Sequence, residues 1–320
     1  MTKDNFKSGY VVILGEPNVG KSTLLNSLLH QKLSIVTKKP QTTRHRILGI
    51  LTEEGYQIIF LDTPGLIEPK YLLQDYMMKI VDSAIDDADI LLLMIDATKP
   101  MIEPQSPQGT LLERMASVTK TPILVLNKVD RVDKGTLLPI IDQYSKRDVF
   151  REIVPVSALT GDNLDDLKQT LAKYLPEQPP YYDSDIVSEH PERFFVSEII
   201  REKAFEELRE EVPYAVSVEV LEFKERGEEF DHTRDLDGHT QNDIAVNSRR
   251  KDYISAEIYV EKHSQKGILI GRGGRMLKEI GERSRKDIEA FLGRPIFLEL
   301  HVKVRANWRN DEKWLKRMGY

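Results

Sequence analysis

Between residues 10 and 175 the chain alternates short apolar runs with longer stretches whose apolar positions recur every three or four residues. The short runs, β-branched or leucine-rich and bounded by turn formers, predict strands at 10–14, 46–52, 56–61, 89–96, 121–127 and 152–156. The helical spacing predicts helices at 22–30, 71–87, 107–117, 136–147 and 163–175. Alternation of this kind builds a largely parallel sheet covered by helices on both faces. One pair departs from it. Only Glu53-Glu54-Gly55 separates 46–52 from 56–61, a connection too short for a parallel crossover, so these strands pair antiparallel and 46–52 is an edge strand.

The proline-rich 176–180 and the polar residues up to 191 read as a linker. A second pattern follows: a helix at 194–211, strands at 213–223 and 253–261, further helices, and a strand at 295–305. Between its first two strands, 224–252 is strongly charged and poor in apolar residues, and reads as a long exposed loop or a disordered hairpin tip. The expected organisation is an α/β domain at 1–176, a linker at 177–193, and an α+β domain at 194–320 with a charged insertion.

Composition narrows the class. With 320 residues, 40% hydrophobic and 31% charged, the chain can bury two cores and reads as soluble. It has no cysteine, which excludes disulfides and thiolate metal sites. No apolar run reaches bilayer-spanning length, and the first nine residues lack the apolar stretch of a signal peptide, so the expected location is the cytoplasm. The net charge of −6 is unevenly spread: residues 261–320 hold 15 Lys+Arg against 8 Asp+Glu. A basic end on an acidic protein points to a polyanionic partner for that end.

The chemistry starts at the end of the first apolar run. Gly15, Glu16, Pro17, Asn18, Val19, Gly20, Lys21 and Ser22 have the spacing GxxxxGKS between a strand and a helix that continues with Thr23. This is the P-loop pattern. Glycines let backbone N–H groups converge on an anion at a helix N-terminus, Lys21 adds charge towards the β- and γ-phosphates, and Ser22 is placed to ligate Mg²⁺.

Three further stretches fall in order at predicted strand ends, where ligands sit in open α/β sheets. Asp62, Thr63, Pro64 and Gly65 supply a carboxylate for Mg²⁺ and a backbone N–H for the γ-phosphate. Asn127, Lys128 and Asp130 select the base, since an ionised Asp130 matches the paired N1–H and N2–H donors of guanine and leaves adenine unmatched. Ser157 and Ala158 offer a backbone N–H to guanine O6. Gln41-Thr42-Thr43-Arg44 precedes the edge strand, and Thr43 is the hydroxyl expected to complete the Mg²⁺ shell. The ligands read from these stretches are GTP or GDP with Mg²⁺, and the catalytic candidates are Lys21, Thr43 and Gly65.

With these motifs in place, residues 10–175 resemble a translation-factor-related GTPase domain of the Era/EngA/MnmE type. Leu66 stands where Ras-like proteins carry the glutamine that orients the attacking water. Leucine cannot do this, so slow intrinsic hydrolysis is expected. The resemblance also implies a role for K⁺ bound with the help of Asn18, while hydrogen bonding within the loop is the other reading of that side chain.

In the basic end, Gly271, Arg272, Gly273 and Gly274 form a GxxG stretch between an apolar turn and a helix with Arg275 and Lys278. Such a loop lets a nucleic-acid backbone approach closely and clamps about four single-stranded nucleotides. The order helix, strand, strand, helix, GxxG, helix, strand resembles a type II KH domain. The fold class expected is therefore a mostly parallel P-loop GTPase sheet with one antiparallel edge strand, followed by a type II KH α+β domain. Taken together, the chain resembles the Era family of bacterial GTPases. That resemblance implies binding near the 3′ end of 16S rRNA on the 30S subunit, a role in small-subunit assembly and rRNA maturation, and peripheral association with the inner face of the cell membrane. A monomer without a DNA partner is the accompanying expectation. The alternative is a GTPase switch whose C-terminal unit grips a protein.

Overall fold

The structure, a computed structural model, describes residues 6–116, 120–225 and 251–320. The expected charged insertion lies, apart from its ends, outside the described residues. The chain divides into two compact units, Met1–His190 with Trp308–Tyr320, and Pro191–Asn307.

The first unit runs β1 (Lys7–Leu14), α1 (Lys21–Leu29), β2 (Ile47–Glu53), β3 (Tyr56–Asp62), α2 (Leu72–Asp87), β4 (Ile90–Asp96), α3 (Pro107–Met115), β5 (Thr121–Asn127), α4 (Lys134–Ser145), β6 (Glu152–Pro155) and α5 (Leu164–Tyr174). Its six strands are ordered β2-β3-β1-β4-β5-β6. All neighbours are parallel except β2 and β3, with β2 on the edge as expected. Strands β1, β4 and β5 are buried on both faces, which is why Val11–Leu14, Ile90–Ile95 and 123–126 are unbroken apolar runs. Helix α2 shows the complementary pattern, burying Leu73, Met77, Val81, Ala84 and Ile85 along one stripe. The chain passes from β1 to one side of the sheet and later returns to β4 on the other. The C-terminal end of β1 is therefore a topological switch point, where a crevice opens.

Two stretches are placed otherwise than their composition suggests. Residues 177–190, expected as part of a linker, pack along the edge of the first sheet. Ser8 Oγ donates to the Pro179 carbonyl (2.7 Å), Ile50 N to the Val187 carbonyl (2.8 Å), and fully buried Gln57 accepts from Tyr181 N (2.8 Å) while donating to the Tyr182 carbonyl (2.9 Å). A buried amide is tolerated here because its donors and acceptors are paired.

Residues 308–320, expected as the end of the second domain, belong to the first unit. Trp308 is fully buried, with the Arg44 guanidinium 5.8 Å from its ring centroid, and Arg309 lies 4.7 Å over Tyr71. Asn310 Oδ1 accepts from Leu72 N (3.1 Å), and Tyr320 stacks on His45 at 4.3 Å. A short helix, α9 (Glu312–Arg317), is capped by the Asp311 side chain, which accepts from Trp314 N.

The second unit has the order α6 (Glu192–Glu207), β7 (Ser217–Lys224), β8 (Asp252–Val260), α7 (His263–Ile270), α8 (Arg275–Leu292) and β9 (Ile296–Val304). Strand β8 is central, antiparallel to β7 and parallel to β9. The parallel pair requires a crossover, which α7 and α8 supply. One sheet face, with Val218, Ile254, Ala256, Ile258 and Val302, packs on Val196, Ile200, Ile280 and Ile288 of the helices. Without the tail, 261–307 retains 11 Lys+Arg against 6 Asp+Glu, so this stretch stays basic.

Trp308→Ala removes a fully buried indole and should lower unfolding free energy by about 3–5 kcal/mol. Denaturant unfolding followed by tryptophan-independent circular dichroism checks this, and an unchanged midpoint contradicts the tail's place in the first core.

Candidate functional site

The crevice at the end of β1 is built by residues 15–22. Gly20 has φ +107 and leaves no room for a side chain, since a Cβ there would lie 2.3 Å from Asn127 Nδ2. That Nδ2 donates to the Val19 carbonyl at 2.7 Å, tying β5 to the loop. Lys21 Nζ donates to the carbonyls of Gly15 and Glu16, both at 3.0 Å. Burial lowers its pKa to about 8, against the pull of the Asp62 and Glu16 carboxylates.

Beside it, Ser22 Oγ donates to Asp62 Oδ2 (2.7 Å) and lies 2.9 Å from Thr43 Oγ1, and Ser34 Oγ also donates to Oδ2 (2.9 Å). Asp62 Oδ1 is buried and has no hydrogen-bond partner. Burial raises the Asp62 pKa, while the Lys21 charge and the serine hydroxyls hold it down. An orphan carboxylate oxygen next to two hydroxyls is a hard-oxygen set that fits Mg²⁺, which takes its remaining ligands from water and phosphate. Among the described residues there is no cluster of three or more His, Cys, Asp or Glu, and such a partly hydrated ion does not need one.

The cleft, about 390 Å³, is lined by Pro17, Asn18, Lys21, Thr43, Gly65 and Lys128 among others, with Gly20, Ser22 and Thr23 in its wall. Gly65 sits against the loop, since a Cβ on it would lie 2.7 Å from Pro17 N. Thr63 is buried and donates to the Ile13 carbonyl (2.7 Å), a bond that ties the end of β3 to β1. Leu66, the next residue after Gly65, stays out of the cleft. Its N–H donates to the Gly15 carbonyl (3.0 Å), but its side chain is buried in the sheet core and does not line the cleft.

The base-selecting stretches converge on the same loop. Asn127 Oδ1 accepts from Ala158 N (2.9 Å), so that N–H, expected to be free for a base oxygen, is engaged by Asn127. Lys128 bridges Asp96 Oδ2 (2.6 Å) and the Asn18 carbonyl (2.8 Å). Ser157 Oγ donates to Asp130 Oδ1 (2.6 Å), which fixes the carboxylate. Asn18 Nδ2 donates to the Lys38 carbonyl (3.3 Å), a partner in the segment 31–46 and not within the loop where its hydrogen bond was expected. Thr37, Lys38, Gln41 and Arg131 also line the cleft. They carry no motif, and only folding of 31–46 over the loop brings the first three in.

In the second unit, Gly271, Gly273 and Gly274 all have positive φ (+71, +58 and +77). A Cβ on Gly271 would meet Met276 Cβ at 2.8 Å, whereas Gly273 and Gly274 open onto empty space. Arg272, Arg275 and Lys278 are exposed. Beside the loop runs a groove of about 420 Å³ between α8 and β9, lined by Gly274, Leu277, Lys278, Arg285, Leu298 and Leu300. Arg285 was missed in the sequence, although it follows Lys278 by two helical turns and so shares its face.

Fold and cleft together define the class, a P-loop GTPase domain joined to a KH domain. A model for a 50S ribosome-binding GTPase matches residues 10–128, and one for a KH domain matches 237–309. The chain is 45% identical to GTPase Era of Geobacter metallireducens over 320 residues, covering 100% of both chains. It is 46% identical to the chloroplastic GTPase ERA1 of Zea mays over 319 residues, 99% of this chain and 71% of that protein. The crystal structure of a tyrosine-to-alanine variant of Aquifex aeolicus Era bound to GDP·AlF4⁻ superposes with a TM-score of 0.87 at 41% identity, covering 98% of this chain and 99% of that one. An Era structure in complex with MgGDPNP and nucleotides 1506–1542 of 16S ribosomal RNA matches with a TM-score of 0.86, again at 41% identity and with coverage of 98% and 99%. The chain belongs to the Era family of GTPases.

Gly20→Ala should displace Asn127 and orphan its buried amide, lowering stability by about 1–3 kcal/mol and weakening nucleotide binding with it. Thermal unfolding and nucleotide titration of the same variant check this. A wild-type melting profile shows that Asn127 does not brace the loop.

Proposed function

We propose that the cleft holds guanosine triphosphate and that the α8–β9 groove holds single-stranded RNA, making the chain a GTP-hydrolysing switch in small-subunit ribosome assembly. One observation carries the nucleotide reading. The buried ammonium of Lys21, the carboxylate of Asp62 (through Oδ2 to Ser22, with Oδ1 left unpaired) and the side chains of Asn127 and Lys128 are all bonded to residues of one glycine loop.

In this reading the loop N–H groups and Lys21 bind the phosphates, and Ser22, Thr43 and Asp62 hold Mg²⁺. When bound, Mg²⁺ neutralises charge on the β- and γ-phosphates. Gly65 brings its N–H to the γ-phosphate. Asp130, pinned by Ser157, pairs with guanine, Asn127 braces the loops, and the Lys128 stem covers the base. Hydrolysis transfers the γ-phosphoryl group to water, and Leu66, turned into the core, leaves the intrinsic rate slow. Loss of the γ-phosphate releases 31–46 and 62–70.

In the second unit, the positive-φ glycines admit an RNA backbone, Arg272 and Arg275 meet phosphates, and Lys278 and Arg285 border the strip where bases lie on Leu298 and Leu300. The full-length likeness to an Era in complex with 16S rRNA nucleotides supports an rRNA target on the 30S subunit. The cytoplasm is the proposed compartment, with peripheral membrane association as part of the same reading. No helix among the described residues is long and apolar enough to cross a membrane.

Calorimetry tests the nucleotide site. GTP and GDP should bind at least about a thousandfold more tightly than ATP, and Lys21→Ala should abolish binding. Asp130→Asn exchanges one acceptor for a donor, so preference should pass from guanine to xanthine nucleotides. Equal affinity for ATP and GTP ends this reading. Hydrolysis rates compared in K⁺ and Na⁺ decide the second role of Asn18, and equal rates leave only its bond to Lys38.

RNA binding should weaken linearly on a log–log plot as salt rises. Replacing Arg272 and Arg275 by Ala should lower the slope by about two and leave GTP affinity intact. Salt-independent binding, or binding unaffected by these changes, favours a protein partner for the groove.

A further inference from the structure

The cleft has a gap in its chemistry. Leu66, at the position of the water-orienting glutamine, is buried in the core. The γ-phosphate end therefore lacks the amide that a Ras-like site would offer.

Another glutamine lines the cleft. Gln41 belongs to the same wall as Lys21, Thr43 and Gly65, and its only amide companion there is Asn18, whose Nδ2 is engaged by the Lys38 carbonyl. Gln41 has φ +59, a left-handed backbone that is strained for a non-glycine residue and persists only where its surroundings hold it. They do so through the two residues that follow it. Thr42 Oγ1 donates to the Lys39 carbonyl (2.8 Å) and lies 2.8 Å from Thr37 Oγ1, and Thr43 Oγ1 lies 2.9 Å from Ser22 Oγ.

The side chain is held as well. Gln74 of α2 is 4% exposed and spans two segments. Its Oε1 accepts from the backbone N–H of Lys70 (2.8 Å), a donor that cannot be reversed, so its Nε2 must face Gln41. The Gln74 Nε2 to Gln41 Oε1 bond is 2.9 Å. It follows that Gln41 presents Oε1 to Gln74 and Nε2 away from it. Among the described residues that Nε2 has no hydrogen-bond partner. A carbonyl oxygen has two lone pairs, so Oε1 retains a second acceptor position.

We propose that Gln41 is a catalytic residue for GTP hydrolysis, taking the place that Leu66 leaves empty, and that Gln74 is its positioning residue. Gln41 Nε2 donates to a γ-phosphoryl oxygen, and the free lone pair of Oε1 accepts from the attacking water. The water oxygen forms a bond to the γ-phosphorus as the bond to the β–γ bridging oxygen breaks, and its proton passes to a γ-phosphoryl oxygen. GDP and inorganic phosphate leave. This rests on the reading of the cleft as the GTP site.

The test uses the full-length protein with Mg²⁺ and measures three quantities: single-turnover GTP hydrolysis, affinity for a non-hydrolysable GTP analogue, and affinity for GDP with aluminium fluoride. Gln41→Ala should slow hydrolysis at least about tenfold and lose affinity for the aluminium fluoride complex, with analogue affinity changed by less than about threefold. Gln74→Leu should slow hydrolysis by a smaller factor through kcat, and the double variant should be no slower than Gln41→Ala alone. Hydrolysis by Gln41→Ala at the wild-type rate overturns the proposal, as does a rate loss matched by an equal loss of analogue affinity. A Gln74→Leu effect that multiplies with that of Gln41→Ala overturns the positioning role. Failure of the wild-type protein to bind the analogue overturns the GTP reading itself.

Discussion

Two buried charges of opposite sign lie at the glycine loop, Lys21 in the wall of the cleft and Asp62 bonded to Ser22, and no hydrogen bond joins them to each other. The Lys21 ammonium is satisfied only by the carbonyls of its own loop, and Asp62 keeps one oxygen with no partner. Removing an ion from water costs several kcal/mol unless strong partners replace the solvent. The depressed Lys21 pKa and the raised Asp62 pKa both record that cost. A polyphosphate and a divalent cation supply what each charge lacks, so the cradle is organised for a ligand pair. The architecture makes this possible by placing the loop at the end of β1, where sheet connections part in opposite directions.

Around this cradle, the segment 31–46 is held both to the glycine loop and to α2 by protein contacts. Ser22 and Thr43 join the loop to 31–46, and Gln41 and Gln74 join 31–46 to α2. The tail touches both segments: Trp308 and Tyr320 pack on Arg44 and His45, while Arg309 and Asn310 meet Tyr71 and Leu72. These contacts tie both segments to residues that directly follow β9 in the chain. Because such contacts are packed and bonded, they favour discrete arrangements over gradual deformation.

Much of the architecture was legible in local pattern. The strand expected at 121–127 is β5 residue for residue, the helix expected at 71–87 is α2 less one position, and the antiparallel edge pair followed from a three-residue connection. Periodicity and turn length act over a few residues and need no knowledge of the rest of the chain. The P-loop and GxxG stretches were legible for the same reason, since glycine spacing and the required backbone conformations are local properties. Hard-oxygen donors and guanine-matching acceptors also declare themselves by residue type.

What escaped was every feature that depends on distant partners. The composition of 177–190 suggests a linker, yet Gln57 and the edge of β2 capture it. The tail after β9 continues the second unit in sequence, but its indole is buried in the first. Leu66 was legible as a missing glutamine, whereas Gln41 became visible only once folding set it against Gln74 and the cleft. Sequence alone therefore determined most of the elements, the two site chemistries and the family, while the helix expected at 194–211 stops at Glu207 and the strand expected at 213–223 begins at Ser217. Tertiary structure decided which segments share a core and which polar groups are spoken for, because burial and pairing arise only when residues far apart in the chain exclude water together.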